Sequence, residues 1–257
     1  MDIVILGSGN VASHLGKSLR NAGHDIRQVW SRNIHHAEAL AHILQSQATH
    51  QFDRLLIDAD LYIIAVVDDA IQEVLKGMPK VAGCIVHTSG STAMDVMPSG
   101  ISNYGVFYPL QTFSKEKNID FSTVPILLEA SNESTYGLLK GVAFSISGNV
   151  QACTTAQRKI IHIAAVFSCN FSNHLYVIAQ HLLEENGLEF DLIRPLIHET
   201  NEKIRYHFPM DVQTGPAVRG DQDTLRQHGE QLTAHPDWLA IYELMSDAIW
   251  KEAKKGE

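Results

Sequence analysis

The sequence predicts an α/β protein, a doubly wound sheet followed by an all-helical domain. Three observations carry that prediction. The chain opens on a continuous apolar run, Ile3 to Leu6, as a strand buried on both faces requires. Apolar strands and helical spacings then alternate up to about residue 150, the pattern of a mostly parallel sheet. From Thr155 onward no stretch reads as a strand. The boundaries that follow are 1–152 for the α/β domain and 153–257 for the helical domain.

The first strand runs directly into Gly7-Ser8-Gly9-Asn10-Val11-Ala12, and a helical spacing of Val11, Leu15 and Leu19 follows. This is the G-x-G-x-x-A form of the dinucleotide fingerprint in its required strand–turn–helix context. Gly7 permits the tight turn. Gly9 lets a pyrophosphate approach the backbone, and Ala12 is small enough for a helix to pack on a strand. The helix N-terminus offers free N–H groups and a positive dipole end to phosphate. A glycine turn without a ligand is the plain alternative.

Asn21-Ala22-Gly23-His24 ends the first helix, and Ile26 to Trp30 forms a second strand. An NAD site places an acid near the end of that strand for the ribose 2′-hydroxyl. Here the place holds Ser31-Arg32-Asn33, and a hydroxyl with a guanidinium suits a 2′-phosphate. The residues therefore point to NADP. A capping serine beside a solvated arginine is the alternative. Ala37 to Leu44 has helical spacing.

Leu61 to Val67 is another interior strand, ending in Asp68-Asp69-Ala70-Ile71. Val67 and Asp68 thus fall on the ligand edge of the sheet, although helix capping explains the aspartates as well. Cys84 to His87 is a third strand, ending in Thr88-Ser89-Gly90-Ser91 on the same edge. His87 could donate to a carbonyl or to a nicotinamide amide, or it could pair with backbone at a turn, with Thr88 and Ser89 binding ligand instead. Tyr104 to Tyr108 is a further strand, closed by Pro109 and followed by Leu110-Gln111-Thr112-Phe113. Val124 to Glu129 and Phe144 to Ile146 complete the predicted sheet, with a helix from about Ser134 to Leu139 between them.

Beyond residue 152, Gln157 to Leu183 reads as one long helix. Glu189 to Tyr206 reads as another, kinked or broken at Pro195. Asp221 to Leu232 and Asp237 to Lys251 are two more. On the long helix His162, Asn170, Asn173 and His174 lie near one stripe amid apolar neighbours, so they need partners or a ligand. Asn170 suits a site between the domains; His162 suits a structural hydrogen bond. In Thr214-Gly215-Pro216-Ala217-Val218-Arg219-Gly220-Asp221, Arg219 is the lone cation of a glycine-flanked loop. It could clamp a substrate carboxylate or pair within the helices. His87 and Asn170 are expected to face each other across the nicotinamide end of one cleft, with Arg219 holding a substrate anion.

The whole-chain balance excludes other classes. A net charge of -9 without a basic run argues against nucleic acid and against an anionic membrane surface. The 14 histidines include no H-x-x-x-H pair with a suitably placed acid, so no metal is expected. There is no G-x-S-x-G for nucleophilic hydrolysis. Cys84, Cys153 and Cys169 are widely spaced and read as reduced thiols. With no signal-peptide pattern and no span-length apolar run, the expected location is cytoplasmic. The apolar excess of Gln157 to Leu183 predicts a homodimer through the helical domain.

Taken in order, the motifs resemble a bacterial family of NADP oxidoreductases in which a Rossmann domain is fused to a helical C-terminal domain of unassigned function. The residues that carry the resemblance begin with Gly7 to Ala12, Ser31-Arg32 and Val66-Val67-Asp68-Asp69-Ala70-Ile71. They continue with His87-Thr88-Ser89-Gly90, Tyr108-Pro109-Leu110-Gln111-Thr112-Phe113 and Thr214 to Asp221. More distantly the chain is similar to pyrroline-5-carboxylate reductase, ketopantoate reductase and 6-phosphogluconate dehydrogenase. The resemblance implies a 6-phosphogluconate-dehydrogenase-like helical domain, usual dimerisation, and hydride transfer between NADP(H) and a small carbonyl or imine. A non-catalytic NADP(H)-binding sensor is the alternative. Two positions depart from the pattern. Tyr108-Pro109 stands where His-Pro is expected, so proton donation there would fall to a phenol with a higher reference pKa. Val166 stands four residues before Asn170, where the β-hydroxyacid dehydrogenases carry a catalytic lysine.

Overall fold

The computed structural model describes residues 1–114, 117 and 119–255. They divide into two compact units, Met1–Cys169 and Asn170–Glu257. The first is built on an eight-stranded sheet. Its strands are β1 (Asp2–Leu6), β2 (Asp25–Trp30), β3 (Gln47–Thr49), β4 (Leu61–Ile64), β5 (Cys84–His87), β6 (Tyr104–Pro109), β7 (Ile126–Ala130) and β8 (Val150–Ala152). The order is β3-β2-β1-β4-β5-β6-β7-β8. Neighbours run parallel except β6 and β7, which are antiparallel. The order reverses between β1 and β4, and that switch point opens a crevice beyond the strands' C-terminal ends.

The helices of this unit are α1 (Asn10–Asn21), α2 (Ile34–Leu44), α3 (Ile71–Gly77), α4 (Glu133–Ile146) and α5 (Thr155–Ala165). Strand residues alternate between two cores because successive side chains point to opposite faces. Ile3 and Ile5 join Leu15, Leu19, Leu40, Leu44 and Leu139 on the face covered by α1, α2 and α4. Val4 and Leu6 join Ile71, Val74 and Leu75 on the face covered by α3. Ala12 is fully buried in the first core, where a larger side chain would push α1 off the sheet.

Three elements of this sheet differ from the sequence reading. Phe144 to Ile146, expected as a strand, is the last turn of α4. Leu139, Val142, Ala143 and Ile146 bury one face at i, i+3, i+4 and i+7, and Asn132 caps the start by accepting from the Thr135 N–H. The sheet's last strand is β8 instead. β3 has only three residues, too few for a periodicity to register.

The division between units falls at Cys169, beyond β8, because α5 is anchored to the sheet. Arg158 is fully buried and pairs with Glu129 of β7 at 2.6 Å. Glu129 also accepts from the Thr155 N–H at 2.9 Å and the Thr155 hydroxyl at 2.7 Å. Thr154 and Gln157 close a capping box at the helix start.

The predicted long helix is interrupted by a π-helical turn at Val166–Phe171 before α6 (Ser172–Glu185). The second unit continues with α7 (Arg194–Tyr206), α8 (Pro216–Arg219), α9 (Gln222–Gln231) and α10 (Pro236–Ala253). Pro195 sits in the first turn of α7, so it starts the helix rather than kinking it. Asp221 caps α9 by accepting from the Thr224 N–H. No strand occurs among the described residues beyond Ala152. Among the described residues no helix is long and apolar enough to cross a membrane.

Candidate active site

A cavity of about 850 Å³ lies at the C-terminal edge of the sheet's switch point. Its floor is Gly7, Ser8, Gly9, Asn10 and Val11, and Ser31, Arg32 and Asn33 form one end. Ala65, Val66 and Val67 line another wall. Gly7 has φ +132°, and a Cβ there would stand 2.1 Å from the Ala65 carbonyl oxygen. Only glycine permits that crossing of two backbones. A Cβ on Gly9 would meet nothing within 4 Å, so the space over Gly9 is open to a ligand. Gly9 is also the N-cap of α1 and makes no side-chain cap, which leaves the helix's first N–H groups to a ligand. This combination fits a pyrophosphate.

At the Ser31 end of the cavity, the Ser8 and Ser31 hydroxyls lie 2.8 Å apart. Ser31 is buried while Arg32 is exposed beside it, a guanidinium free to meet a 2′-phosphate. Trp30 and Phe52 stack at 4.5 Å along the same wall, and the Trp30 Nε1 has no hydrogen-bond partner. The far end is closed by the loop after β6. Asn10 Nδ2 donates to the Phe113 carbonyl at 2.8 Å, and His14 Nε2 lies 2.8 Å from the Ser114 carbonyl.

The residues singled out in the sequence are therefore divided by the fold. Gly7 to Val11, Ser31, Arg32 and Val67 share the cavity, while Ala12 lies beneath it in the core. His87, Thr88 and Ser89 are buried and are not among the lining residues. His87 is 0% exposed. Its Nδ1 accepts from the Ser89 N–H at 3.2 Å, which assigns the proton to Nε2. Burial, and then the nearby Arg158 cation, push its pKa down to about 4, so the ring is neutral at physiological pH. Asp68 is exposed in the turn between β4 and α3 and accepts from the Ser91 hydroxyl.

Asn170 and Arg219 belong to the second unit, where both are exposed. Asn170 lies in the π-helical turn. Arg219 ends α8, between Gly215 at φ +114° and Gly220 at φ +66°. Gly220 packs beneath Trp250, since a Cβ there would lie 2.7 Å from the indole.

Trp30, His36, His50, Phe52, Glu73 and Gln111 also line the cavity without having been singled out as ligands. His50 and Phe52 follow β3, so missing that strand concealed their position. No group of three or more potential metal ligands occurs among the described residues.

Two family models match the chain. Residues 2–86 match NADP oxidoreductase, coenzyme F420-dependent, and residues 124–249 match a domain of unknown function. A crystal structure titled "putative NADP oxidoreductase" from Bacteroides fragilis is 38% identical, with a TM-score of 0.90 over 97% of this chain and 98% of that one. A reductive aminase from Aspergillus terreus, solved with NADPH and ethyl levulinate, has a TM-score of 0.71 at 16% identity. That match covers 99% of this chain and 94% of the other. A 1-pyrroline-5-carboxylate reductase from Streptococcus pyogenes has a TM-score of 0.63 at 15% identity, over 99% and 98% of the two chains. The last two show the shared fold alone. The Rossmann sheet, the glycine cradle and the close match to the Bacteroides protein agree, and the chain belongs to the NADP oxidoreductase family.

Proposed function

We propose that this chain is an NADPH-dependent reductase of a small imine or carbonyl compound. The cavity over Gly9 carries the reading, with free helix N–H groups at one end and Ser31 and Arg32 at the other. The cofactor supplies the hydride. The chain's own residues bind and orient it. The N–H groups at the start of α1 take the pyrophosphate, while Ser31 and Arg32 take the 2′-phosphate. Val67 packs against the bound ligand. Neutral, enclosed His87 holds the turn of Thr88 and Ser89 through its bond to the Ser89 N–H. It is a positioning residue.

For the substrate, we assign Arg219 to an anionic group and Asn170 to a polar one. Both are exposed, and Arg219 is held between two glycine turns. The helical unit exposes Leu192, Leu196, Phe208 and Leu244, an apolar display that supports a homodimer. Three free cysteines support a reducing, cytoplasmic location.

Titration with NADPH and NADH, for wild type and Arg32→Ala, tests the cofactor assignment. A charge-assisted contact is worth roughly 1.5–3 kcal/mol, so Arg32→Ala should lose about tenfold to a hundredfold in NADPH affinity and little for NADH. Equal wild-type affinities would refute it. NADPH oxidation against a panel of cyclic imines and 2-oxo acids tests the reaction. Tight NADPH binding without turnover of any of them would favour the sensor reading.

A further inference from the structure

Reduction of a C=N or C=O bond consumes a proton as well as a hydride, and enclosed His87 is not placed to supply one. A different pair stands on the same edge of the sheet. Tyr108, near the C-terminal end of β6, brings its phenol to the ring of His162 on α5. Tyr108 Oη and His162 Nδ1 are 3.2 Å apart, with the rings at 70°. Both side chains are half-buried.

The surrounding chain makes room for this pair. A Cβ on Gly90 would lie 2.8 Å from the His162 Nδ1 and 2.9 Å from the Tyr108 Oη. The turn beside Gly90 is tied by the Ser89 hydroxyl, which accepts from the Ser91 and Thr92 N–H groups. The Ser91 hydroxyl in turn donates to Asp68, the neighbour of the cavity residue Val67. On the other side, Gln111 and Phe113 follow Tyr108 in sequence and line the cavity. Neither ring is among the residues lining the cavity; the Ser91–Asp68 bond and the short chain from Tyr108 to Gln111 tie the pair to its wall.

We propose that Tyr108 gives the reacting nitrogen or oxygen its proton and that His162 restores that proton from solvent. The inference rests on the reductase reading above. A hydride leaves NADPH with its electron pair and forms the new C–H bond. The π pair of the C=N or C=O bond takes the Tyr108 proton, leaving a phenolate. His162 Nδ1–H neutralises the phenolate while Nε2 takes a proton from water. Substrate, NADPH and one proton become product and NADP⁺. The productive tautomer carries its proton on Nδ1, so the phenol O–H is free to point at substrate.

The charged groups around the phenol are Asp68, in the turn between β4 and α3, and Arg158, on α5 and paired with Glu129. Burial and then Asp68 push the phenol's pKa up, while Arg158 opposes them. The group therefore stays protonated at neutral pH. It donates best to an atom that becomes strongly basic as the hydride arrives.

Two measurements test this. The first follows the ¹³Cζ resonance of Tyr108, identified by its loss in Tyr108→Phe, from about pH 7 to 11 with and without NADP⁺. A positive nicotinamide beside the phenol should lower the midpoint by about one pH unit. An unmoved midpoint with NADP⁺ bound overturns the proposal. The second is kinetic. Tyr108→Phe should lower kcat about a hundredfold to ten-thousandfold with NADPH affinity unchanged, and His162→Asn should lower it less. An active wild type with a fully active Tyr108→Phe overturns the proposal and leaves the reductase reading intact. A wild type that binds NADPH and reduces nothing refutes the reductase reading instead. The NADP⁺-linked midpoint then still decides whether Tyr108 stands at the nicotinamide.

Discussion

Replacing His87 with asparagine should change how stability depends on pH more than it changes stability itself. Asparagine can present an oxygen where the Nδ1 now accepts from the Ser89 N–H, so the turn keeps its hydrogen bond. What disappears is a titration. The folded-state pKa of His87 is about 4, against 6.5 in an unpaired chain. Between those values the unfolded protein binds a proton that the folded one refuses. Stability from this source is therefore complete above about pH 6.5 and declines as pH falls toward 4. At about 1.4 kcal/mol per pH unit the window is worth about 3 kcal/mol. His87 is wholly enclosed, so solvent screening takes little away. Urea unfolding of wild type and His87→Asn at several pH values from 8 down to 4 reads the difference, and the other histidines cancel. On acidification across this window wild type should lose about 3 kcal/mol relative to His87→Asn. Parallel curves across that window would refute a neutral, buried His87.

Three further outcomes follow from the same structure. Arg158→Met leaves the Glu129 carboxylate without its cation and should cost about 3–5 kcal/mol, seen as a lower Tm, while Glu129→Leu added to it should recover most of that loss. Burial pushes the Glu129 carboxyl up, but bonds from Arg158 and Thr155 outweigh it and hold the pKa below 4.5, so its contribution is present above that pH and is lost below it. Gly7→Ala should lower Tm and abolish NADPH binding, because the Ala65 backbone cannot yield and the φ of +132° costs about 1–3 kcal/mol. Gly9→Ala should weaken NADPH binding while leaving Tm unchanged, since its Cβ enters open space.

The first strand, the glycine turn and α1 were legible in the sequence because their signals are local. A buried strand is a run of apolar residues, a tight turn is a glycine, and a helix face is a spacing. The same holds for α9 and α10, whose caps and prolines mark their starts. Ser31 and Arg32 could be placed on the ligand edge of the sheet because strand β2 ends just before them. Phe144 to Ile146 was misread because three apolar residues suit a strand as well as a helix's last turn, and only packing against Leu139 and its neighbours decides between them.

The polar residues were a different matter. His87 ends an interior strand, and from sequence alone its ring could face the crevice or the core. Enclosure and the Ser89 N–H determine that it serves the turn. The partners of His162 and Arg158 are 54 and 29 residues away in the chain, and no periodicity encodes such distances. Helical spacing set His162 among apolar neighbours and left its partner unnamed. The close approach of β6, α5 and the Gly90 turn puts a phenol against it. Local sequence chooses which backbone each segment adopts, because that choice depends on near neighbours. Which side chains meet is decided only when strands far apart in the chain are laid side by side.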